Sequence, residues 1–507
     1  MKVNIIGGGM SGLTLGCYLQ MYGFETEIFE KNAVPGGLCA SWKRGEYTFD
    51  GSIRWILGSG KGNAFYKLWS ELIDMDELDF ITHETCLEIE LNNNRNKYGE
   101  KVFKLYTNID RLKAYLLDIA PEDEKQIRKF IFLLRVLQRY ELPPMICEIS
   151  QLQSIRQKSK MISYLPLGHT FLRWGRATNF EFARKLKNPF LKEAIELLYD
   201  GEEVNLLVVA MPLAAYDTKS AGYPVGGSAR FADRFRKRYE SLGGVIHCNS
   251  QVVRVNVDNG RAAAIELAEG RRVESDVTVS AADWHFTVFE ALEGRFVDNK
   301  INKLANFKSF KLYPSVIMIS LGVARSLKEY PHFFRFPLQN CFKSPDGTIY
   351  KRLEVHIFNY DPTLAPEGKC VVSMSFFTEN GQFWIEKREN EREQYYILKE
   401  QFASNMIDEL DRKLGGIKEN LEVVDVATPA TYLRYTGNWM GSAQGWFPKE
   451  NLIAKSPVEI HLPGLKDFFY NSQWLIPGGG LPTILKASHD LAQKMRFVFY
   501  KEKFNKI

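Results

Sequence analysis

The chain has little that would support several common functional classes. Its seven cysteines, Cys17, Cys39, Cys86, Cys147, Cys248, Cys341 and Cys370, never fall into CxxC or CxxH spacing. That argues against a structural zinc site or a disulfide framework and fits a reducing cytoplasm. The eight histidines are dispersed, and no Ser-His-Asp arrangement, metal-ligand spacing or pair of carboxylates stands out. Hydrolytic and metal-dependent chemistry therefore have nothing to rest on. His285 and His356 read as packed core or surface groups rather than catalysts. The longest apolar run, Leu206–Ala215, contains Pro212 and is about half of the ~20 residues that a transmembrane helix needs. The first strand begins at residue 2, which leaves no room for a signal peptide ahead of the fold.

What is present begins at once. Val3, Ile5 and Ile6 make a short buried strand that runs into Gly7-Gly8-Gly9-Met10-Ser11-Gly12. Gly7 permits a tight turn, Gly9 lets the backbone approach a pyrophosphate, and Gly12 lets the next helix pack closely on the strand. The free N–H groups of that helix are then aimed at phosphates. A second strand, Thr26–Phe29, ends in Glu30, eighteen residues after Gly12. This is near the spacing of an acid that accepts hydrogen bonds from ribose hydroxyls. The carboxylate would repel a 2′-phosphate, so NADP is disfavoured and FAD or NAD remains.

The rest of a nucleotide domain is scattered along the chain. Tyr223-Pro224-Val225-Gly226-Gly227-Ser228 is a loop ending in a helix N-cap, followed by a basic amphipathic helix at Ala229–Leu242 closed by Gly243-Gly244. A strand at Val245–Cys248, a hairpin of Gln251–Val257 with Ala262–Leu267, and a buried strand at Asp276–Ser280 come next. The tail adds a strand at Phe468–Tyr470, the loop Pro477-Gly478-Gly479-Gly480-Leu481-Pro482 and a helix from about Thr483 to Phe499. At 507 residues the chain exceeds what one core supports. The expected division is a discontinuous nucleotide domain of residues 1–110, 223–290 and 455–507, and a substrate domain of residues 111–222 and 291–454. The latter is helical near 110–222 and β-rich at Ser315–Val323, Arg352–Phe358 and Val371–Phe377.

Charge is uneven. Between Lys125 and Lys192 fourteen Lys or Arg stand against three acids, Glu141, Glu148 and Glu181, in a stretch threaded with apolar and aromatic groups. It reads either as a solvated basic face or as an interfacial surface that meets anionic membrane. No recognition module accompanies the charge, so nucleic acid is not an expected partner. A cytoplasmic protein, peripheral at the membrane, fits these features.

Taken together, GGGMSGL with Glu30-Lys31, Pro35-Gly36-Gly37-Leu38, Phe49-Asp50-Gly51, the YPVGGS loop with QVVRV, and the terminal PGGGLP resemble the phytoene desaturase, carotenoid isomerase and retinol saturase group, related to the monoamine oxidases. The matches run through the whole chain in order. The resemblance implies an α/β fold: a Rossmann-like FAD-binding domain of the amine-oxidase type with an inserted α+β substrate domain. It also implies non-covalent FAD. By position, Gly7, Gly9, Met10, Ser11 and Gly12 would hold the pyrophosphate and Glu30 the ribose, with Lys31 beside the adenosine. Gly37 and Leu38 would run under the phosphates, Val252 would meet the adenine edge, and Gly479, Gly480 and Leu481 would follow the ribityl chain and ring. Two departures stand out. Leu38 replaces the arginine common after Gly-Gly, and Asn471-Ser472 replaces a glycine-acid pair.

The segment Thr428–Trp446 resembles a signature of bacterial relatives, rich in glycine and aromatics. Such a loop suits contact with a flat ring or plain packing. If it lines the flavin, Tyr435 and Trp446 are the contacts expected. The leading reading is an FAD-dependent oxidoreductase that desaturates, saturates or isomerises carbon–carbon bonds of a carotenoid, isoprenoid or unsaturated lipid. A flavin amine oxidase and a flavin-containing membrane-surface protein without turnover remain as alternatives, and the electron partner stays open.

Overall fold

The computed structural model describes residues 1–139, 165–447 and 457–504. The first strand, Lys2–Ile6, is buried from Val3 on and apolar there on both faces except for Asn4, and only a strand covered on both sides can bury such a run. It lies in the middle of a five-stranded parallel sheet ordered Val245–His247, Glu25–Phe29, Lys2–Ile6, Val277–Ser280, Phe468–Tyr470. Strands from three distant stretches of sequence thus end side by side. The helix Met10–Met21 packs on this sheet against the helices Gly227–Ser241 and Leu481–Phe504, and is buried through nearly its whole length. Close packing explains Gly12: a Cβ there would sit 2.1 Å from the Gly7 carbonyl oxygen. The hairpin Val252–Asp258 and Arg261–Leu267 joins Arg272–Glu274 in a separate three-stranded sheet.

A second sheet has seven strands in the order Leu421–Ala427, Ser315–Val323, Cys370–Thr378, Ile349–Ile357, Phe333–Lys343, Thr85–Glu90, Val102–Tyr106. One face carries Ile317, Ile319, Val355, Ile357 and Met374 onto the helix Arg392–Leu414, whose Phe402, Met406 and Leu410 complete that core. The last two strands of this order correct the expected division, which placed residues 1–110 with the nucleotide sheet. Leu87, Ile89, Phe103 and Leu105 alternate toward one face, and the helices Ile109–Ile119 and Glu124–Arg139 that follow directly are what cover it. The neighbouring strand is then reached through Phe334↔Glu88 and Arg335↔Ile89.

The same packing limits the basic region. In Glu124–Arg139 the apolar side, Ile127, Phe130, Ile131, Leu134 and Leu137, is consumed by the helical core. Phe132 is left exposed on the other side of this helix, and Leu172 is exposed on the helix Leu165–Trp174. Residues 140–164 of the basic stretch lie outside the described residues. Among the described residues no helix is long and apolar enough to cross a membrane.

Candidate functional site

The carboxyl ends of the parallel strands and one face of the seven-stranded sheet enclose a cavity of about 520 Å³. The nucleotide side of this cavity is built from backbone. Gly7 turns the chain with φ +97, and its amide donates to the Phe29 carbonyl at 2.8 Å. Gly9 is the N-cap of Met10–Met21; it has no side chain to cap the helix, and the first turn carries no acid. The first amides of the helix are therefore bare where they meet the cavity, and with the helix dipole they make an anion site. A Cβ on Gly9 would come no closer to protein than 3.8 Å. Nothing in the chain itself requires glycine there, so the open space serves something that enters the cavity.

Glu30 is buried at the end of the second strand. Its Oε2 accepts the Gly8 amide at 2.8 Å, and its Oε1 accepts the Asn32 amide at 2.9 Å and Asn32 Nδ2 at 2.7 Å. The carboxylate is thus fixed in orientation at the cavity wall. Lys31 donates from Nζ to the Arg434 carbonyl at 2.9 Å. Burial pulls its pKa down while Glu30 and Asp283 pull the other way. Asp283, also in the wall, has its carboxyl pushed up to about 7 by burial, against the amides of Trp439 and Phe286 that donate to it.

Among the residues singled out from sequence, Gly7, Gly9, Met10, Ser11, Glu30, Lys31, Gly37, Leu38, Val252, Gly480, Leu481 and Tyr435 line the cavity. Gly12 and Gly479 stand behind it; a Cβ on Gly479 would press on the Gln444 carbonyl oxygen at 2.9 Å. Asn471, one of the two departures, ties the C-terminal strand to the anion site. Its Nδ2 donates to Ser11 Oγ at 3.0 Å and to Ser488 Oγ at 2.9 Å, and its carbonyl accepts from Ser11 Oγ.

Comparison with known proteins agrees with this geometry. Residues 5–72 match the model of an NAD(P)-binding Rossmann-like domain. A chloroplastic prolycopene isomerase of an Oncidium hybrid cultivar is 24% identical over 97% of this chain and 84% of its own length. A lycopene-forming phytoene desaturase of Paracoccus is 21% identical over 97% of this chain and 96% of its own length. A redesigned putrescine oxidase shares the fold with a TM-score of 0.60 at 12% identity, over 97% of this chain and 98% of that one. The chain is similar over nearly its whole length to carotenoid isomerases and desaturases.

The segment Thr428–Trp446 does reach the cavity, through Tyr435 as expected and through further side chains. Tyr432, Leu433, Thr436, Asn438 and Gln444 line it. Tyr435 is 54% exposed at the rim with the Arg434 guanidinium over its ring. Trp446 is the correction. It is fully buried, edge-on to Trp284 and Trp474 at 5.4 and 5.2 Å, and outside the lining. An indole buries more apolar surface among three other tryptophans than it could beside a half-open cavity. Trp474, one layer forward, is the tryptophan that faces the cavity.

The opposite wall was not legible at all. Tyr313, Val316, Met318, Glu354, His356, Ser375 and Phe377 come from the seven-stranded sheet, and Arg54 from the turn after Asp50. His356 is buried, as a packed core histidine would be, yet it lies in the lining. His285 stacks on Trp439 at 4.5 Å, outside it.

Proposed function

We propose that this protein is an FAD-dependent oxidoreductase acting on carbon–carbon bonds of a long apolar substrate of the carotenoid, isoprenoid or unsaturated-lipid class. The observation that carries this reading is one continuous cavity joining a bare helix N-terminus and an anchored ribose-facing acid to a wall of aromatic and aliphatic side chains. The names of the relatives, prolycopene isomerase and phytoene desaturase, point to polyenes.

The chain's own residues fit FAD. Gly9, Met10 and Ser11 would meet the pyrophosphate, Glu30 the ribose, Val252 the adenine, and Gly37, Leu38, Gly480 and Leu481 the ribityl chain and ring. Bound flavin supplies a two-electron hydride acceptor or donor. The protein's part is to exclude water and hold the reacting carbons in place, which Val316, Met318, Phe377 and Tyr432 serve from the far wall. Non-covalent binding is supported by the cysteine in the lining, Cys39, whose thiol is pushed up to about 12 by burial, away from the reactive thiolate.

The protein should purify yellow and release FAD on heating. Anaerobic addition of a polyene should bleach the flavin, or reduced flavin should be consumed by it. Bleaching by a primary amine instead would move the reading to amine oxidation. Bleaching by neither would leave a flavoprotein without this turnover. We also place a membrane-docking face around Leu172 with the exposed Arg173, Arg176, Arg184 and Lys185. Reversing those four cations to Glu should release the protein from anionic liposomes without loss of FAD, and wild type that ignores such liposomes at low salt would remove this face.

A further inference from the structure

Four of the chain's nine tryptophans stand together beside the cavity. They arrive from three parts of the sequence: Trp284 follows the buried strand Val277–Ser280, Trp439 and Trp446 follow the helix Pro429–Thr436, and Trp474 follows the strand Phe468–Tyr470. Trp474 lines the cavity. It meets Trp446 edge-on with ring centroids 5.2 Å apart, and Trp446 meets Trp284 in the same way at 5.4 Å. Trp439 closes the group, 6.1 Å from Trp284, 6.4 Å from Trp446 and 6.5 Å from Trp474. Its own ring is stacked between His285 at 4.5 Å and Phe307 at 5.0 Å. Trp439 is half-buried and Phe307 is exposed. Rings in contact therefore run from the cavity to the surface.

Packing alone does not account for indoles at the inner positions. The Nε1 atoms of Trp446 and Trp474 are buried and have no acceptor among the described residues. A buried indole usually finds one, and an orphaned N–H is a cost that a phenyl ring in the same place would avoid. What the indole adds is redox chemistry, because it gives up an electron far more readily than a phenyl ring does. The missing acceptors suit that use. An indole that has lost an electron becomes strongly acidic at Nε1; with nothing there to take the proton, the vacancy is not trapped as a neutral radical and can move on to the next ring.

We infer that Trp474, Trp446, Trp284 and Trp439 form a path for single electrons from the surface to the cavity, and that it gives the flavin-loaded protein a light-driven activity, reduction by a thiol in solution. The inference rests on the flavin reading above and adds an activity to it. An indole is too weak a reductant for flavin in the dark, so the path is silent until blue light absorbed in the cavity supplies the driving force. Trp474 then gives one electron to the cavity. Trp446 refills Trp474, the vacancy passes to Trp439 directly or by way of Trp284, and a thiol outside refills Trp439. Two such passages take two electrons and two protons from two thiols, which join as one disulfide. The electrons and protons end in the cavity as reduced flavin.

The test illuminates FAD-loaded protein with blue light in the absence of oxygen. Transient absorption after a flash records tryptophan radicals, and a second sample with dithiothreitol is followed for bleaching of the flavin under steady light. Wild type should show a tryptophan radical that outlives the flash and should bleach steadily with the thiol. Trp439→Phe keeps a ring between His285 and Phe307 but cannot be oxidised, and should lose the long-lived radical and most of the bleaching. Trp439→Tyr, whose phenol can give up an electron with its proton, should keep part of both. FAD content and the dark spectrum report that each variant is folded. A wild type without a tryptophan radical, or full bleaching in folded Trp439→Phe, would overturn the path and leave the flavin reading standing. Wild type that takes up no FAD would overturn both.

Discussion

The two walls of the cavity are made in opposite ways. On the nucleotide side the functional atoms are backbone amides, placed by glycines within one short segment and by a single acid eighteen residues beyond Gly12. On the other side they are side chains from strands far apart in sequence, such as Met318, Glu354 and Ser375, made neighbours only by register. The first wall suits a nucleotide cofactor, a group that does not vary. The second is built to be altered one side chain at a time without disturbing the first.

If that contrast is right, substitutions on the two sides fail differently. The largest effect belongs to neither wall but to the layer behind them. Trp446→Ala should cost about 3–5 kcal/mol of stability, as expected for emptying a tryptophan site in a packed core, while the visible flavin spectrum of the folded fraction stays close to wild type. Thermal unfolding followed with the spectrum checks this; a spectrum strongly changed in stable protein would put Trp446 against the ring after all. Gly12→Ala comes next. Its Cβ would collide with the Gly7 carbonyl, which is backbone and cannot rotate away. The helix must shift, at roughly 1–3 kcal/mol, and FAD should be lost with it because the bare amides move.

A smaller effect isolates the acid. Glu30→Gln keeps an acceptor for the Gly8 amide but removes the charge and turns an NH2 toward the Asn32 donors, so FAD affinity measured on reconstituted apoprotein should fall about tenfold with a modest drop in unfolding temperature. Unchanged affinity would remove Glu30 from the ribose. The smallest is a pH effect. The Asp283 carboxyl is raised from 3.8 to about 7 in the fold, so between those values the native state holds a proton that the unfolded chain has released. Its contribution to stability is present at low pH and is lost as pH rises toward 7. Asp283→Asn should flatten that part of the curve of unfolding temperature against pH, and a slope unchanged by the substitution would assign it to other groups.

Helix and strand placement followed the pattern of residues closely in the nucleotide unit. The strand expected at Thr26–Phe29 is Glu25–Phe29, the strand at Asp276–Ser280 is Val277–Ser280, and the helix from Thr483 is Leu481–Phe504. The placement of Thr85–Glu90 and Val102–Tyr106 was missed because alternation announces a half-buried strand but not which sheet will cover it. Trp446 was misplaced for a related reason: a glycine- and aromatic-rich segment signals close packing without saying against what.

The sequence by itself determined the bare helix start and the buried acid at the end of the second strand, since a tight turn, a close approach and a helix start are local demands that only certain residues meet at fixed spacing. Tertiary structure alone decided that Trp474 rather than Trp446 faces the cavity, and that Glu354 and His356 share its wall with Met318 and Phe377. Those neighbours are set by strand register and by which face of a sheet the surrounding helices leave uncovered, and both are properties of the whole packed chain.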